Sequence, residues 1–343
     1  MFESLEDFSK LLKNELPHPN RLAQETARKR QLLLTKPEGS LGRLEELVLW
    51  LAAWGRKPHP DIQQPATIIF AGNHGVTAQG VSPYPADVTA QMVANFEAGG
   101  AAINAIATTV GSSLKVIPLK LEEPTGDIST VPAMSDDELL DALNVGAAAI
   151  PFSGDLFAFG EMGIGNTTIA AALAAASFGG VGQDWAGPGT GLDEPGLKRK
   201  IDVIDHALTQ HAKAETAVER LRCLGGREFA AIAGAIVAAR RARLPVVLDG
   251  FGVTAAVAPL YAENPRIIDH CMAGHMSAEP GHRKLLEAMK LTPVLDLKMR
   301  LGEGTGAALA ISVLKAALAS HNGMATFEEA GVSGPASEDN AES

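Results

Sequence analysis

Leu156-Phe-Ala-Phe-Gly160-Glu161-Met162-Gly163-Ile164-Gly165-Asn166-Thr167-Thr168 runs from an apolar stretch, through a glycine-rich turn, into the alanine-rich segment Thr167 to Ala176. A short apolar run bounded by glycine reads as a strand buried on both faces. The alanine-rich continuation reads as a helix. Strand, glycine turn and helix form the unit of a parallel sheet, since parallel neighbours are joined only by a crossover. The same texture recurs outward from this stretch. Ala66-Thr-Ile-Ile-Phe-Ala-Gly72, Leu114 to Leu119 and Val246-Val-Leu-Asp-Gly250 are further strand candidates. Helical patterns lie between them at Ala86 to Thr108, Asp136 to Ala148, Leu197 to Lys213 and Phe229 to Ala242, with a last helix from Gly306 to Ser320. The fold class is therefore α/β, a parallel sheet with helices on both faces.

The first sixty residues have a different texture. Leu5, Phe8, Leu12 and Leu16 recur at helical spacing until Pro17 and Pro19 break the run. A second helix is expected from Arg21 to Leu34. A third is expected to begin at Ser40, a plausible N-cap for the apolar stripe that follows. Pro58 to Pro65 reads as a linker, and the Ser-, Glu- and Pro-rich tail after Gly331 as a segment that frays.

Composition narrows the function. A net charge of -11 argues against a nucleic-acid partner, so an anionic substrate would have to be held by local cations and backbone N–H groups. Two cysteines, Cys223 and Cys271, fit a reducing compartment rather than a disulfide framework. The N-terminus has no apolar signal core. The apolar run Ala230 to Ala239 is much too short for a membrane span. A soluble, cytoplasmic protein is the expectation.

Ligands of parallel sheets bind beyond the carboxyl ends of the strands. Four loops there are rich in glycine: Gly72-Asn73-His74-Gly75, continuing to Pro85; Gly160 to Thr168; Gly187-Pro-Gly189-Thr190-Gly191, followed by Lys198-Arg199-Lys200; and Arg300-Leu301-Gly302-Glu303-Gly304-Thr305-Gly306. A single such loop is more often a tight turn than a phosphate seat, but four in one chain point to a substrate cleft. None has the Gly-Lys-Ser/Thr of a P-loop or a clear dinucleotide fingerprint. Glu303, a carboxylate among glycines beside an apolar helix, could be a general base with a raised pKa or simply a helix cap; the two readings weigh about equally. His74 reads first as a structural hydrogen-bonder. Asp249 reads equally as a strand-end residue bonding loop N–H groups or as a ligand contact. His270, His275 and His282 cluster near Glu279 without the spacing of a zinc site, and no metal is expected. Lys198, Arg199 and Lys200 each read by default as solvated.

Taken together and in order, Lys36-Pro-Glu-Gly-Ser-Leu-Gly42, Gly72-Asn-His-Gly-Val76, Gly160-Glu-Met-Gly-Ile-Gly-Asn-Thr-Thr168, Leu248-Asp-Gly-Phe251, His275-Met-Ser-Ala-Glu279 and Arg300-Leu-Gly-Glu-Gly-Thr-Gly306 resemble the nicotinate-nucleotide–dimethylbenzimidazole phosphoribosyltransferase family. The resemblance spans about Lys36 to Leu314. It implies a Rossmann-like sheet with a small helical domain built from both termini, giving domains at 1–60, 61–305 and 306–343, and it implies a homodimer. It implies transfer of the phosphoribosyl group from β-nicotinate mononucleotide to 5,6-dimethylbenzimidazole. Glu303 would be the catalytic glutamate. Glu161 and Lys200 would lie on the phosphate side, with Gly163, Gly165, Asn166, Thr167, Gly189, Thr190 and Ser277 completing a phosphate and ribose site. Tyr84, Met92 and Leu301, with Ser82, would form the slot for the flat base. The sequence departs from many members at Asn73, where they carry Asp, and around Ser82 to Met92.

The chemistry agrees with that implication and calls for no cofactor. The pyridinium of nicotinate mononucleotide leaves as a neutral ring, without an acid or a metal. The paired acids usual in enzymes that use a pyrophosphate donor are missing, since only Asp249 follows its strand. The acceptor benzimidazole gains acidity at its second nitrogen as it attacks, and a carboxylate can take that proton. A nucleosidase and a non-catalytic nucleotide sensor on the same fold remain as alternatives.

Overall fold

The structure, a computed structural model, describes residues 1–14, 16–150 and 154–334. Among them, five parallel strands form one sheet: β1 Pro65–Ala71, β2 Ser113–Pro118, β3 Leu156–Met162, β4 Val246–Leu248 and β5 Cys271–Ala273, in the order β2-β1-β3-β4-β5. Ile69 of β1 stands opposite both Val116 of β2 and Gly160 of β3, and Phe159 of β3 opposite Leu248 of β4. The central strands are buried on both faces, which accounts for their mainly apolar composition, broken by Thr67 in β1 and by Glu161 near the end of β3. The order reverses between β1 and β3, and that switch point is where an open α/β sheet presents a crevice.

The α/β expectation is met, and the four strands read from sequence are present. The fifth, β5, was not anticipated. It has three residues at the sheet edge, too few for a periodicity to show. The single helix expected from Ala86 to Thr108 is two helices, Val88–Glu97 and Ala102–Val110. The break lies at Gly99, whose φ of 80° a continuing right-handed helix cannot contain. The helix expected from Leu197 begins at Glu194, capped by the Asp193 carboxylate accepting from the Gly196 N–H at 2.8 Å.

Helices cover both faces. Asp136–Ala148, opened by a Ser135–Glu138 capping box, packs on Arg227–Ala242, and Asn166–Phe178 packs on Phe251–Glu263. The alanines from Ala170 to Ala174 are wholly buried. Small side chains there allow a close helix approach and suit the low aromatic content.

The chain divides into two compact units. The larger comprises Met1–Pro17 and Gln63–Ile311, and the second comprises His18–Ile62 with the described residues from Ser312 on. The second unit is mainly helical: Arg21–Leu33 packs on Arg43–Gly55, and Gln31 Nε2 lies 2.9 Å from His321 Nδ1. The first helix, Leu5–Lys13, belongs to the larger unit, whereas the sequence reading grouped residues 1–60 together. Phe2, Phe8, Leu12 and Leu16 are buried in the main core. Ser40 is not an N-cap, because the third helix starts at Arg43 after Gly42. Glu45 Oε1 instead accepts from the Leu41 N–H at 3.1 Å and from Lys36 Nζ at 2.7 Å, so the helix start is tied by a side chain from within. The tail beyond Gly334, expected to fray, lies outside the described residues.

Candidate active site

A cavity of about 640 Å³ opens over the carboxyl ends of β3, β4 and β5, in the larger unit. Its walls come from the loops after those strands, from the Gly187–Gly191 loop, from Arg300–Glu303 and from one face of Val88–Glu97. The volume suits a substrate of mononucleotide size. A recess of about 20 Å³, bordered by Ser82, Gly165, Asn166, Thr167, Gly189 and Thr190, lies where the Asn166–Phe178 helix begins. That helix has Gly165 as its N-cap and no side-chain cap, which leaves its positive end available to an anion.

Glu303 occupies the cavity wall in an unusual backbone conformation. Its φ is 62°, between Gly302 at 81° and Gly304 at 79°. Only glycine adopts that region readily, so a glutamate held there carries strain of about 1–3 kcal/mol that its surroundings must offset. Two features offset it. Asp249, at the end of β4, accepts from the Gly304 N–H at 3.1 Å and from the Ala307 N–H at 2.9 Å, which anchors the start of the Thr305–Gly323 helix. Gly160 of β3 lets the backbone of Glu303 and Gly304 lie against the strand. A Cβ there would come within 2.7 Å of the Glu303 carbonyl carbon. Burial, and then the charge of Asp249, push the Glu303 carboxyl up to about 7.

Glu161 is the second carboxyl of the cavity. Its side chain accepts a short hydrogen bond from Asn166 Nδ2. Burial is the main cause that pushes it up to about 8. The Asn166 bond opposes the rise, and the nearby carboxylates of Glu228, Asp249 and Glu303 add to it. At neutral pH Glu161 is therefore mostly protonated while Glu303 is about half ionised, two carboxyls in one cavity with different proton occupancies.

The positions read from sequence divide into three groups. Tyr84, Met92, Glu161, Gly163, Asn166, Thr167, Gly189, Thr190, Ser277, Leu301 and Glu303 line the main cavity. Ser82 and Gly165 border the recess. Lys200 lines neither. It is wholly buried behind the wall, donating to Thr167 Oγ1 at 2.8 Å and to the Gly187 carbonyl at 2.9 Å. Burial draws its pKa down to about 8, against the raising effect of Glu279. The default solvated reading fails for Lys200 but describes its exposed neighbours Lys198 and Arg199. Successive helix residues point about 100° apart, so one of the three turns inward.

No histidine lines the cavity. His74 Nε2 lies 2.6 Å from Glu228 Oε1, both side chains wholly buried. His270, wholly buried at the start of β5, is held down to about 3 by burial and then by Arg240. His282, also held down to about 3 by burial, is neutral and accepts from the Ser277 N–H at Nδ1, 2.9 Å away. Its proton is therefore on Nε2, which donates to Thr254 Oγ1 at 3.0 Å. This chain of bonds positions Ser277 on the cavity wall. Among the described residues no cluster of three or more His, Cys, Asp or Glu is arranged to hold a metal ion. Asn73 donates from Nδ2 to the Leu121 carbonyl at 3.0 Å, a bond that aspartate could not make.

Sequence reasoning left Val88, Phe251, Glu279 and Arg300 out of the site, and all four line the cavity. Val88 lies one turn before Met92 on the same helix face, a signal that was available. Phe251 follows a strand end and could also have been found. Arg300 and Glu279 stood within quoted motifs, but nothing in their spacing fixed which way they point.

Fold and cavity together define an α/β protein of the doubly wound kind, with a small-molecule site over the carboxyl ends of β3, β4 and β5. A model of the phosphoribosyltransferase family DBI_PRT matches residues 16–332, and the chain belongs to that family. It is 56% identical over 330 residues to the nicotinate-nucleotide–dimethylbenzimidazole phosphoribosyltransferase of Brucella anthropi, covering 96% of this chain and 97% of that one. It is 56% identical over 329 residues to the enzyme of the same name from Brucella abortus, with the same coverage. Among solved structures, the enzyme of that name from Thermus thermophilus is similar, with 41% identity and a TM-score of 0.86 over 92% of this chain and 100% of that one.

Proposed function

We propose that the protein transfers the 5-phosphoribosyl group of β-nicotinate mononucleotide to 5,6-dimethylbenzimidazole, giving α-ribazole 5′-phosphate and nicotinate, for the lower ligand of cobalamin. The observation that carries the mechanism is Glu303: a carboxyl on the cavity wall, held in a left-handed conformation and raised to about 7 by burial. Such a group is poised to take the benzimidazole N–H proton as the other ring nitrogen attacks the anomeric carbon. The nicotinate ring departs as the glycosidic bond breaks. Its pyridinium nitrogen takes the bonding electrons and becomes neutral, so the leaving group needs no proton.

In this reading the monophosphate sits on the backbone N–H groups of Gly163, Gly165, Thr167 and Thr190, since those of Ile164, Asn166 and Gly191 are already bonded to Thr89 Oγ1 and to the Gly163 and Pro188 carbonyls. The uncapped helix start at Gly165 supports that seat. Lys200 acts from behind, fixing Thr167 and the Gly187 carbonyl. The base lies between Tyr84, Met92 and Leu301, with Val88 and Phe251 beside them. Tyr84 and Leu301 are half exposed, so the slot is open at its rim. The protein would work as a cytoplasmic homodimer; buried free thiols at Cys223 and Cys271 agree with a reducing compartment.

The test mixes purified protein with nicotinate mononucleotide and 5,6-dimethylbenzimidazole, and separates the products by chromatography. Equal amounts of nicotinate and α-ribazole phosphate are expected. Nicotinate alone would replace the transferase with a nucleosidase, and binding without products would replace it with a sensor.

A further inference from the structure

Glu279 is a cavity carboxylate with no part in the scheme above. It stands at the N-cap position of the Pro280–Ala288 helix, yet its side chain makes no capping bond, so the usual local reason for a polar residue there is missing. It is 5% exposed and lines the cavity. Its Oε2 is buried without a hydrogen-bond partner, a costly state that a bound ligand or a rearrangement in the complex would relieve. The structural explanation is that the charges of Lys200 and Arg300 and the Gly189 N–H already act on it, which still leaves Oε2 without a partner. The lysine spends its ammonium on Thr167 Oγ1 and the Gly187 carbonyl, and none of the ion pairs of the described residues joins it to Glu279.

Phosphate would be repelled by a carboxylate, so Glu279 marks a part of the cavity that receives hydrogen-bond donors. The other two cavity carboxyls are engaged, Glu161 by Asn166 and Glu303 by the proton transfer proposed above. Ser277, two residues before Glu279 on the loop after β5, faces the same cavity, and its Oγ accepts from the Glu279 N–H at 3.3 Å. An acidic side chain beside a hydroxyl, close to the Gly189 turn, suits the vicinal hydroxyls of a sugar. We infer that Glu279 accepts hydrogen bonds from the ribose hydroxyls of the donor, and so makes the site selective for ribosyl over deoxyribosyl phosphates. This deepens the transferase reading and rests on it for the identity of the donor.

The experiment compares wild type with Glu279→Gln and Glu279→Asp. Turnover is measured with nicotinate mononucleotide and with its 2′-deoxy and 3′-deoxy analogues, and binding of ribose 5-phosphate and 2-deoxyribose 5-phosphate by calorimetry. Wild type should favour the ribosyl compounds by about 10- to 100-fold, the range of a hydrogen bond to a charged group. In Glu279→Gln the ribosyl donor should lose most of that factor and the analogues little, so the ratio falls towards one. Glu279→Asp, which keeps the charge near Lys200, should give an intermediate ratio even if the glutamine variant folds poorly. An unchanged ratio in the variants, or a wild type indifferent to the hydroxyls, would overturn the assignment and leave Glu279 a structural charge. Failure of transfer by the wild type would count against the reaction, whereas the binding comparison judges Glu279 independently of it.

Discussion

Glu303→Gln removes the proton acceptor and little else. The amide has the shape of the acid, the left-handed backbone at φ 62° is set by Gly302, Gly304 and the Asp249 bonds, and none of these involves the Glu303 side chain. With the carboxyl at about 7, roughly one-tenth is ionised at pH 6 and about one-hundredth at pH 5. The base must be ionised to act, so wild-type kcat/KM should fall about tenfold per unit below pH 7, the value of the free enzyme, and kcat should fall likewise below the carboxyl's pKa in the complex. The assay is product formation, at limiting nicotinate mononucleotide for kcat/KM and at saturating nicotinate mononucleotide and benzimidazole for kcat. Saturation keeps the titration of the substrate's own phosphate, near pH 6, out of kcat. The glutamine variant should show kcat lower by about 100-fold or more at pH 8, with the acid limb absent. A 100-fold loss corresponds to about 2.7 kcal/mol of barrier. KM should change much less, because the proton is transferred only as the bond forms. Near-wild-type kcat in the variant, or an acid limb that persists unchanged, would remove Glu303 from the proton transfer.

Glu161→Gln should stabilise the protein at high pH. The folded-state pKa of about 8 lies above the usual 4.5, so wild-type stability is full below about pH 4.5, declines as pH rises and has lost this contribution above about 8. The variant should melt several degrees higher at pH 8 and nearly unchanged at pH 4; equal shifts at both pH values would contradict the assignment. Gly160→Ala places a methyl 2.7 Å from the Glu303 carbonyl carbon, and the backbone has to move. It should cost about 1–3 kcal/mol in denaturant unfolding and lower kcat at least tenfold; full activity would show that Glu303 needs no such close seat. EDTA should leave turnover intact, because a pyridinium leaving group requires no metal. Loss of activity that a divalent ion restores would contradict that scheme.

The fold was legible where composition was forced by burial on two sides. β1, β3 and β4 had to be mainly apolar along their length, and the glycines after them had to bend the chain, so strand and loop could both be read. β5 has three residues, and no pattern fits into three. The break at Gly99 was readable in principle, since two glycines adjoin there, but Ala-rich flanks suit one long helix as well as two. Within the site, Glu161 lies at the carboxyl end of β3 and Asn166 and Thr167 follow that strand, so their position followed from the topology. Lys200 was harder. Its motif gave the residue, while the direction of its side chain depends on the phase of the Glu194–Gln210 helix, which three consecutive basic residues do not reveal. Glu279 and Arg300 likewise needed three dimensions.

Asp249 joins the structural and chemical parts of the site in one side chain. Sequence left it balanced between bonding loop N–H groups and contacting a ligand. Its oxygens accept from the Gly304 and Ala307 N–H groups, Oδ1 also lies 3.5 Å from His275 Nε2, and it does not line the cavity. By taking those N–H groups it fixes the turn that carries Glu303, and it occupies the positive end of the Thr305–Gly323 helix that would otherwise favour an ionised glutamate nearby. Its negative charge then adds to burial in raising the Glu303 carboxyl. Anchoring and tuning are therefore inseparable here. An Asp249→Asn change should keep one accepting oxygen but lose the charge, loosening the turn while lowering the Glu303 pKa. The expected signature is a kcat/KM limb displaced below pH 7 together with a lower plateau, a combination that loss of anchoring alone would not produce.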